Sequence, residues 1–252
     1  MSAAFETIAY EKGAEGIVRL TLDRPDKRNA VNLQMRDDLW SALCAFRDDP
    51  DARVLIVRGA GVAFCSGADI SDFGTAPSYV QARRARRERD LWGLMLALPK
   101  PLIAAVHGYA LGAGCEMSLL CDLRVASEDA RFGLPEVGLG YIPSAGGTQT
   151  LPRTIPPGVA LGMVLSGDAI DAGEAYRLGL VHRVVPKDEL GAAAEAWGRE
   201  LAAREPWALA YAKEAVRAGL DLPLREGLAL ETRLAALLRD ARARARGSVL
   251  RS

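Results

Sequence analysis

The sequence predicts an α/β fold that ends in a region made of helices. Short runs of branched apolar residues, which are typical of strands buried on both faces, alternate with helical segments along the first part of the chain. From about Lys187 onward, strand-forming runs become rare and the pattern is helical. We therefore predict an α/β core over residues 1–186 and a C-terminal helical region over residues 187–252.

The first elements are two strands with a helix between them. Ile17–Leu22 alternates apolar and polar residues, which favours a half-buried strand. Val54–Val57 is a continuous apolar run and predicts a strand buried on both faces. Asn32 can cap the intervening helix. Three apolar residues recur there at helical spacing, namely Leu39, Leu43 and Phe46.

The next elements continue the alternation. A charged helix is predicted from about Ser78, and Leu102–Val106 predicts another buried strand. Gly112–Leu120 has the pattern of a buried helix, and Asp122–Ala126 that of a further strand. Near the end of the chain, leucines spaced as one helical stripe must be covered either by the protein's own core or by another subunit. These leucines are Leu230, Leu234, Leu237 and Leu238.

Composition and charge exclude several classes of protein. Half of the 252 residues are apolar and a quarter are charged, which is globular rather than disordered composition. Thirty-two basic residues balance thirty-two acidic ones, so nucleic acid is not the expected partner. Met1–Tyr10 lacks the basic and apolar blocks of a signal peptide. Pro101–Leu120 is the longest apolar stretch, but His107 and Glu116 within it argue against a membrane span.

Metal and nucleotide motifs are missing from the sequence. The four cysteines, none in a C-x-x-C pair, are interpreted as free thiols of a reducing compartment. With only two histidines in the chain, no zinc site is expected. There is also no complete dinucleotide fingerprint, no P-loop and no G-x-S-x-G nucleophile motif.

Two glycine-containing turns, 64–70 and 107–116, follow predicted strands. Glycine lets the backbone approach a ligand closely, and the second turn leads directly into an apolar helix. The first amides of that helix are unpaired and could stabilise an oxygen that gains negative charge. The alternative is that these glycines only allow tight packing of strand against helix.

Two glutamates lie in unusually apolar surroundings. Glu116 falls within Cys115–Cys121, and Glu136 falls within Phe132–Gly138. Carboxylates in such surroundings can have separated pKa values, so that one holds a proton near neutral pH while the other is ionised. This is what moving a proton on and off carbon requires. The alternative is two unrelated glutamates, one at a helix cap and one on the surface.

Several segments together resemble the enoyl-CoA hydratase/isomerase, or crotonase, family. Each alone has low specificity, but they occur in the family's order and extend from about residue 20 to 185. They are Asp23–Ala30, Ser66–Ile70, Gly112–Glu116, Cys121–Asp122, Phe132–Glu136, Ile142–Gln149 and Gly179–Val181.

The resemblance implies a fold, a substrate class and an assembly. The fold is a ClpP-like superhelix of ββα turns, followed by helices that build a homotrimer, often paired into a homohexamer. The substrate is an acyl-CoA thioester, so coenzyme A enters as part of the substrate, and no metal or redox cofactor is expected. We expect a cytoplasmic enzyme with neither nucleic acid nor membrane as a partner.

The resemblance also implies roles for individual residues. The amides of Ala68 and Ala113 would form an oxyanion hole, although many members have glycine where this chain has Ala113. Glu116 would take a proton from a water that attacks the β-carbon, and Glu136 would give a proton to the α-carbon. Because family isomerases commonly keep only the later glutamate, the pair favours hydration.

Coenzyme A would lie along Arg24, Lys27 and Arg28, where cations suit a polyanionic ligand. Ser66, Asp69, Ile70 and Gly112 would line the substrate site, although Asp69 could instead cap the next helix. The run 83–89 is interpreted as a solvated helix face, or as the entrance of the acyl pocket. His107 is expected to be structural.

Other readings remain open. The same scaffold supports double-bond isomerisation, thioester hydrolysis and C–C cleavage of a CoA substrate, and a member could bind acyl-CoA without turnover. Many members also carry an aromatic and basic tail beyond the helix 228–238, where this chain has an alternation of alanine and arginine.

Overall fold

The computed structural model describes residues 5–72, 78 and 88–249, and the strands within them form two sheets. The larger sheet has the spatial order β1-β2-β3-β4-β6-β9, in which only the β1–β2 pair is antiparallel. The smaller sheet has the order β5-β7-β8. The strands are β1 Ile8–Lys12, β2 Ile17–Leu22, β3 Val54–Gly59, β4 Leu102–Val106, β5 Tyr109–Leu111, β6 Leu123–Ser127, β7 Arg131–Gly133, β8 Ile170–Asp171 and β9 Arg183–Val185.

Helices connect and cover these strands. Those in the described chain are α1 Leu33–Asp48, α2 Leu91–Ala97, α3 Ala113–Leu120, α4 Gly147–Thr154, α5 Pro157–Ser166, α6 Ala172–Arg177, α7 Leu190–Ala202, α8 Pro206–Gly219 and α9 Leu224–Val249. Short 3-10 turns lie between them at Pro25–Lys27, Ile70–Asp72 and Pro135–Leu139.

The local sequence signals correspond to the observed elements. Asn32 caps α1, and its side-chain oxygen accepts a hydrogen bond from the Met35 amide at 2.9 Å. The predicted strands at Ile17–Leu22 and Leu102–Val106 have the predicted bounds. The strand predicted at 122–126 begins and ends one residue later. All eight residues of α3 are buried, as the apolar pattern predicted.

The core occupies both faces of the larger sheet. On one face Phe46, Phe64 and Phe132 are completely buried among aliphatic side chains. On the other face Leu190 and Ala194 of α7 pack on branched residues of the strands. The helical region that was predicted to begin at residue 187 therefore starts with a helix that completes the core.

The last helices are less covered. Helix α8 packs against α9, and α9 runs without interruption through the alanine and arginine alternation to Val249. In the predicted leucine stripe, Leu234 is buried, whereas Leu237 is 47% exposed. The single chain thus covers the stripe only in part.

Two further predictions can be assessed from the described residues. All four cysteines are free thiols, as expected. Within these residues, we find no helix with the length and apolar character needed to cross a bilayer. Most of the charged helix predicted from about Ser78 lies outside the described residues, as do residues 83–87 of the arginine-rich run. At the end of that run, Arg89 is described and pairs with the Asp37 carboxylate at 2.6 Å.

Candidate active site

The turn that carries Ala68 lies between two neighbouring backbone segments. On one side the Cys65 amide donates to the carbonyl of Tyr109, and the Cys65 carbonyl accepts from the Leu111 amide. On the other side the Val31 amide donates to Gly67, and the Asp69 amide donates to Val31, at 2.8 and 2.9 Å. The turn is therefore fixed along both edges.

The Ala68 amide takes part in none of these hydrogen bonds. Successive amides of an extended segment point to opposite sides, so the Ala68 N–H points away from Val31. On that other side, a Cβ on Gly67 would lie only 4.0 Å from the nitrogen of Ala113. Gly67 also has a φ of +117°, a conformation that favours glycine. Within the described residues the Ala68 amide makes no backbone hydrogen bond.

The second amide stands at the start of α3. Gly112 is the N-cap residue with a φ of +50°, and Ala113 is the first residue of the helix. The amide of a first helical residue has no partner within the helix and faces outward from the positive end of the dipole. A Cβ on Gly112 would lie 3.6 Å from the Gly67 Cα, so the two turns touch. The amides predicted for an oxyanion hole are thus neighbours.

Glu116 lies one turn further along α3 and is only 2% exposed. Its Oε1 accepts hydrogen bonds from the amides of Ala145 and Gly147, both at 2.8 Å. A Cβ on Gly147 would lie 2.9 Å from that oxygen, so a side chain at this position would displace the Glu116 carboxyl. Burial raises the pKa of Glu116 to about 7, while the two amides act in the opposite direction.

Glu136 approaches the same place from the 3-10 turn Pro135–Leu139. A Cβ on Gly112 would lie 3.0 Å from its Oε1, so this carboxyl borders the turn that leads into α3. Its Oε2 is buried and has no hydrogen-bond partner among the described residues. Burial raises the pKa of Glu136. Its charge also raises the pKa of Glu116, as a smaller contribution than burial.

The predicted residues thus fall into an inner and an outer group. The inner group comprises Ala68, Gly112, Ala113, Glu116 and Glu136, which meet where the two glycine turns touch. Such an arrangement can bind a thioester oxygen that gains charge and can exchange protons at adjacent atoms.

The outer group lies along residues 24–30. The Arg24 guanidinium is paired with the Asp69 carboxylate at 3.0 Å and donates to the Ala30 carbonyl. Lys27 and Arg28 are exposed. Ser66 contacts this segment, because its amide donates to the Arg28 carbonyl at 3.0 Å.

The remaining candidates have simpler surroundings. Ile70 is exposed at the start of the 3-10 turn Ile70–Asp72, and Asp69 accepts hydrogen bonds from the amide and hydroxyl of Ser71. The Asp69 carboxyl therefore caps that turn. His107 is buried, and its Nε2 lies 3.0 Å from the Gly61 carbonyl oxygen, which fits the expected structural role.

Several residues of the site were not predicted. The amides of Ala145 and Gly147 belong to Ile142–Gln149, a segment that the sequence marked without giving it a role. Asn29 is completely buried and donates to the carbonyls of Ala60 and Ala63. A buried asparagine in a polar loop was the available signal, because such a group must find hydrogen-bond partners.

Known proteins resemble the chain over nearly its whole length. The Enoyl-CoA hydratase/isomerase family matches residues 12–248. A probable enoyl-CoA hydratase of Mycobacterium tuberculosis is 41% identical over 231 residues, which are 91% of this chain and 88% of that protein. The 2,3-dehydroadipyl-CoA hydratase of Escherichia coli is 43% identical over 222 residues, covering 88% of this chain and 86% of that one.

Solved structures agree with these sequence relatives. An enoyl-CoA hydratase subunit of Geobacillus kaustophilus superposes with a TM-score of 0.90 at 37% identity, covering 97% of this chain and 94% of that one. The enoyl-CoA hydratase of Bacillus anthracis superposes with a TM-score of 0.86 at 36% identity, covering 92% and 90%. The fold is therefore the crotonase fold, and the chain belongs to the enoyl-CoA hydratase/isomerase family.

Proposed function

We propose that this protein adds water across the double bond of 2-enoyl-CoA thioesters. The observation that carries the proposal is the pair of carboxyl groups, Glu116 and Glu136, in apolar surroundings at the turn that presents the Ala113 amide. Hydration needs a base for water and an acid for carbon, and two carboxyls in different environments can divide these tasks.

In the proposed reaction a water molecule gives a proton to Glu116 as its oxygen attacks the β-carbon. The π electrons of the double bond move toward the thioester, whose oxygen becomes enolate-like. The amides of Ala68 and Ala113 stabilise that negative charge. Glu136 then gives its proton to the α-carbon. The substrate gains the elements of one water, and a proton passes from Glu116 back to Glu136 through solvent before the next turnover.

The hydrogen bonds of the two carboxyls support this division of tasks. Oε1 of Glu116 accepts two amide hydrogens, which lower the pKa of this carboxyl against the larger effect of burial. With a pKa of about 7, Glu116 has the ionised form that a base requires available at and above neutral pH. Among the residues that the structure describes, buried Oε2 of Glu136 has no hydrogen-bond partner. This disfavours a charge there and favours the protonated form that an acid requires.

The names of the relatives support the substrate class. The Escherichia coli relative is a 2,3-dehydroadipyl-CoA hydratase, and a relative from Syntrophomonas wolfei, 38% identical over 230 residues, is a crotonyl-CoA hydratase. We propose for this chain a 2-enoyl-CoA substrate whose coenzyme A runs past Lys27 and Arg28.

The proposed reaction needs no metal or redox cofactor, because water, two carboxyls and two amides supply every group. We propose a cytoplasmic location for it.

We also propose that the helical region, residues 187–252, assembles three copies of the chain, or six as two trimers. Large apolar side chains project from α8 and α9 into solvent in the single chain, at 53–79% exposure. Exposed apolar surface of this extent is typical of a subunit interface. The residues are Trp207, Val216, Leu220, Leu224 and Leu228.

The activity is tested with crotonyl-CoA, whose conjugated absorbance is lost on hydration. We expect the wild-type protein to remove the absorbance and to form a product heavier by one water. Glu116→Gln and Glu136→Gln should each lower kcat about 10²- to 10⁴-fold. Glu128→Gln, at an exposed position, is the matched control and should leave turnover unchanged.

Other outcomes would contradict the proposal. Unchanged turnover in either variant would remove that glutamate from the mechanism. Release of free coenzyme A would indicate a hydrolase, and a double-bond shift without a change of mass would indicate an isomerase. Tight binding of acyl-CoA thioesters without turnover would indicate a binding protein.

A further inference from the structure

The ion pair of Arg24 and Asp69 joins the two loops that border the proposed oxyanion hole. Nη1 of Arg24 lies 3.0 Å from Oδ2 of Asp69 and 2.5 Å from the carbonyl oxygen of Ala30. Both side chains are largely covered, with 18% and 13% of their surfaces exposed. The cation of one loop is thus bound to the residue that directly follows Ala68 in the other.

Further hydrogen bonds hold both residues of the ion pair in place. The Arg24 amide donates to the Asn29 side chain, which in turn is bound to the carbonyls of Ala60 and Ala63. The Asp69 carboxylate accepts a hydrogen bond from the Ser71 hydroxyl, and the Asp69 amide donates one to the Val31 carbonyl. The Ser71 hydroxyl, and then Arg24, hold the pKa of Asp69 below its ordinary value, so the carboxylate is ionised at neutral pH.

We propose that Arg24 is a positioning residue for the Ala68 amide, acting through Asp69, rather than a contact for the phosphates of coenzyme A. The proposal rests on the function proposed above. Its physical basis is that the Arg24 guanidinium is already occupied by a carboxylate and a carbonyl, whereas Lys27 and Arg28 in the same loop are exposed.

Charge gives the pair a second role at this site. The Asp69 carboxylate lies one residue from an amide that must stabilise an enolate, and an unpaired negative charge there would oppose the charge that develops. Arg24 neutralises it. Loss of Arg24 should therefore both loosen the turn and expose the Asp69 charge, whereas Asp69→Asn removes the charge and keeps an oxygen that can accept from Arg24.

Two substrates separate positioning from coenzyme A binding. Crotonyl-CoA carries the phosphates, and the crotonyl thioester of N-acetylcysteamine lacks them. We expect Arg24→Gln to lower kcat about tenfold or more with both substrates, because one oxyanion donor is worth about 10²- to 10³-fold. Lys27→Met is the matched control and should raise KM for crotonyl-CoA alone.

The double variant tests whether the two residues act as a unit. We expect Arg24→Gln with Asp69→Asn to recover activity to the level of Asp69→Asn alone, because neutrality is restored. Losses that multiply in the double variant would overturn the proposal. So would an Arg24→Gln variant whose only defect is a higher KM for crotonyl-CoA.

A measurement without turnover keeps this proposal separate from the proposed function. Butyryl-CoA has no double bond to hydrate, yet its thioester carbonyl should be polarised by the Ala68 and Ala113 amides. We expect its infrared carbonyl band to shift to lower frequency on binding to the wild type and to shift less with Arg24→Gln. If the Arg24→Gln variant folds, binds butyryl-CoA and shifts the carbonyl band as far as the wild type does, the positioning role is refuted. This holds whether or not the protein is a hydratase.

Discussion

At the scale of single residues, the site depends on backbone groups that the side chains cannot replace. Gly147 and Ala145 hold Oε1 of Glu116 through their amides, and a side chain at 147 would collide with that oxygen. Within the described part of the chain, the Ala68 and Ala113 amides make no backbone hydrogen bond. In the proposed oxyanion hole, alanine can stand at position 113 because the donor is the main chain.

Burial of Glu116 has a cost in stability that depends on pH. Its pKa rises from the ordinary 4.5 to about 7 in the folded chain, so the folded state binds the proton more tightly than the unfolded state. This contribution to stability is fully present below about pH 4.5 and is lost as the pH rises through about 7. At pH 8 the fold therefore carries a buried carboxylate.

We predict that Glu116→Gln stabilises the protein at pH 8, by on the order of 3 kcal/mol. Glutamine is neutral and keeps an oxygen that can accept from the Ala145 and Gly147 amides. Urea unfolding at pH 8 and at pH 4.5 measures the difference, which should vanish at the lower pH. Glu6→Gln, at an exposed position, is the control. Equal stability of the wild type and the Glu116 variant at pH 8 would show that the carboxylate is not destabilised by burial.

At the scale of elements, α3 is held at both ends. Its N-terminus presents Ala113 to the site, and its C-terminal carbonyls are occupied by two arginines. Arg124 donates to the carbonyls of Ser118 and Cys121, and also to that of Leu180, while Arg217 of α8 donates to Leu120. Cations at a helix C-terminus suit its dipole. The helix that presents the proposed oxyanion amide is therefore anchored at its C-terminus by the core and by α8.

Arg124 is the buried one of these two arginines, and its guanidinium donates to three carbonyl oxygens. Replacing it by methionine leaves those oxygens without donors in a place that water cannot reach, which costs about 3 kcal/mol or more. We expect the melting temperature to fall in the order arginine, lysine, methionine at this position, because one ammonium cannot satisfy three separated carbonyls. Arg131→Met, at an exposed ion pair, is the control and should change the melting temperature little. A methionine variant as stable as the wild type would mean that the cost of burying the guanidinium outweighs its hydrogen bonds.

A cluster of charges connects α8 to the core in the same region. Asp122 is bound by Lys213 at 2.8 Å and by Arg217 at 3.0 Å, and it also accepts from the Leu102 amide. Lys213 in addition donates to the Lys100 carbonyl. These contacts join the predicted helical region to the strand that precedes the turn 107–116.

At the scale of the whole molecule, local patterns predict the elements, and the family resemblance predicts that distant residues such as Glu116 and Glu136 share one site. Neither predicts the individual long-range contacts that hold these residues in place. The Asn32 cap, the buried run Val54–Val57 and the apolar helix after Gly112 are patterns of neighbouring residues, so the elements could be predicted. The amides that hold Glu116 lie 29 and 31 residues from it, and Arg24 lies 45 residues from Asp69. Contacts over such separations depend on how the turns stack, which no local pattern encodes. The covering of the sheet by α7 was missed for the same reason.

The sequence pattern also predicts that the leucine stripe near the end of the chain is covered by the core or by another subunit. In the single chain this stripe is only partly covered. Leu220 at the end of α8 and Leu224 at the start of α9 are 70% and 79% exposed, next to a leucine stripe that is only partly covered. Burying such surface against other copies would gain roughly 1.5 to 3 kcal/mol per large side chain. A charge at the centre of the interface would have to be desolvated without a partner.

We therefore predict that the wild type sediments as a trimer or hexamer and that Leu220→Glu with Leu224→Glu sediments as a single chain of 26.9 kDa. Sedimentation equilibrium measures both masses directly. Val62→Glu, on an apolar residue that is 65% exposed in the loop after β3, is the control and should keep the mass of the wild type. If the wild type sediments as a single chain, or if the double variant keeps its full mass, these helices do not form the interface. Crotonyl-CoA hydration by the dissociated variant then measures how far the proposed site depends on neighbouring copies for its activity.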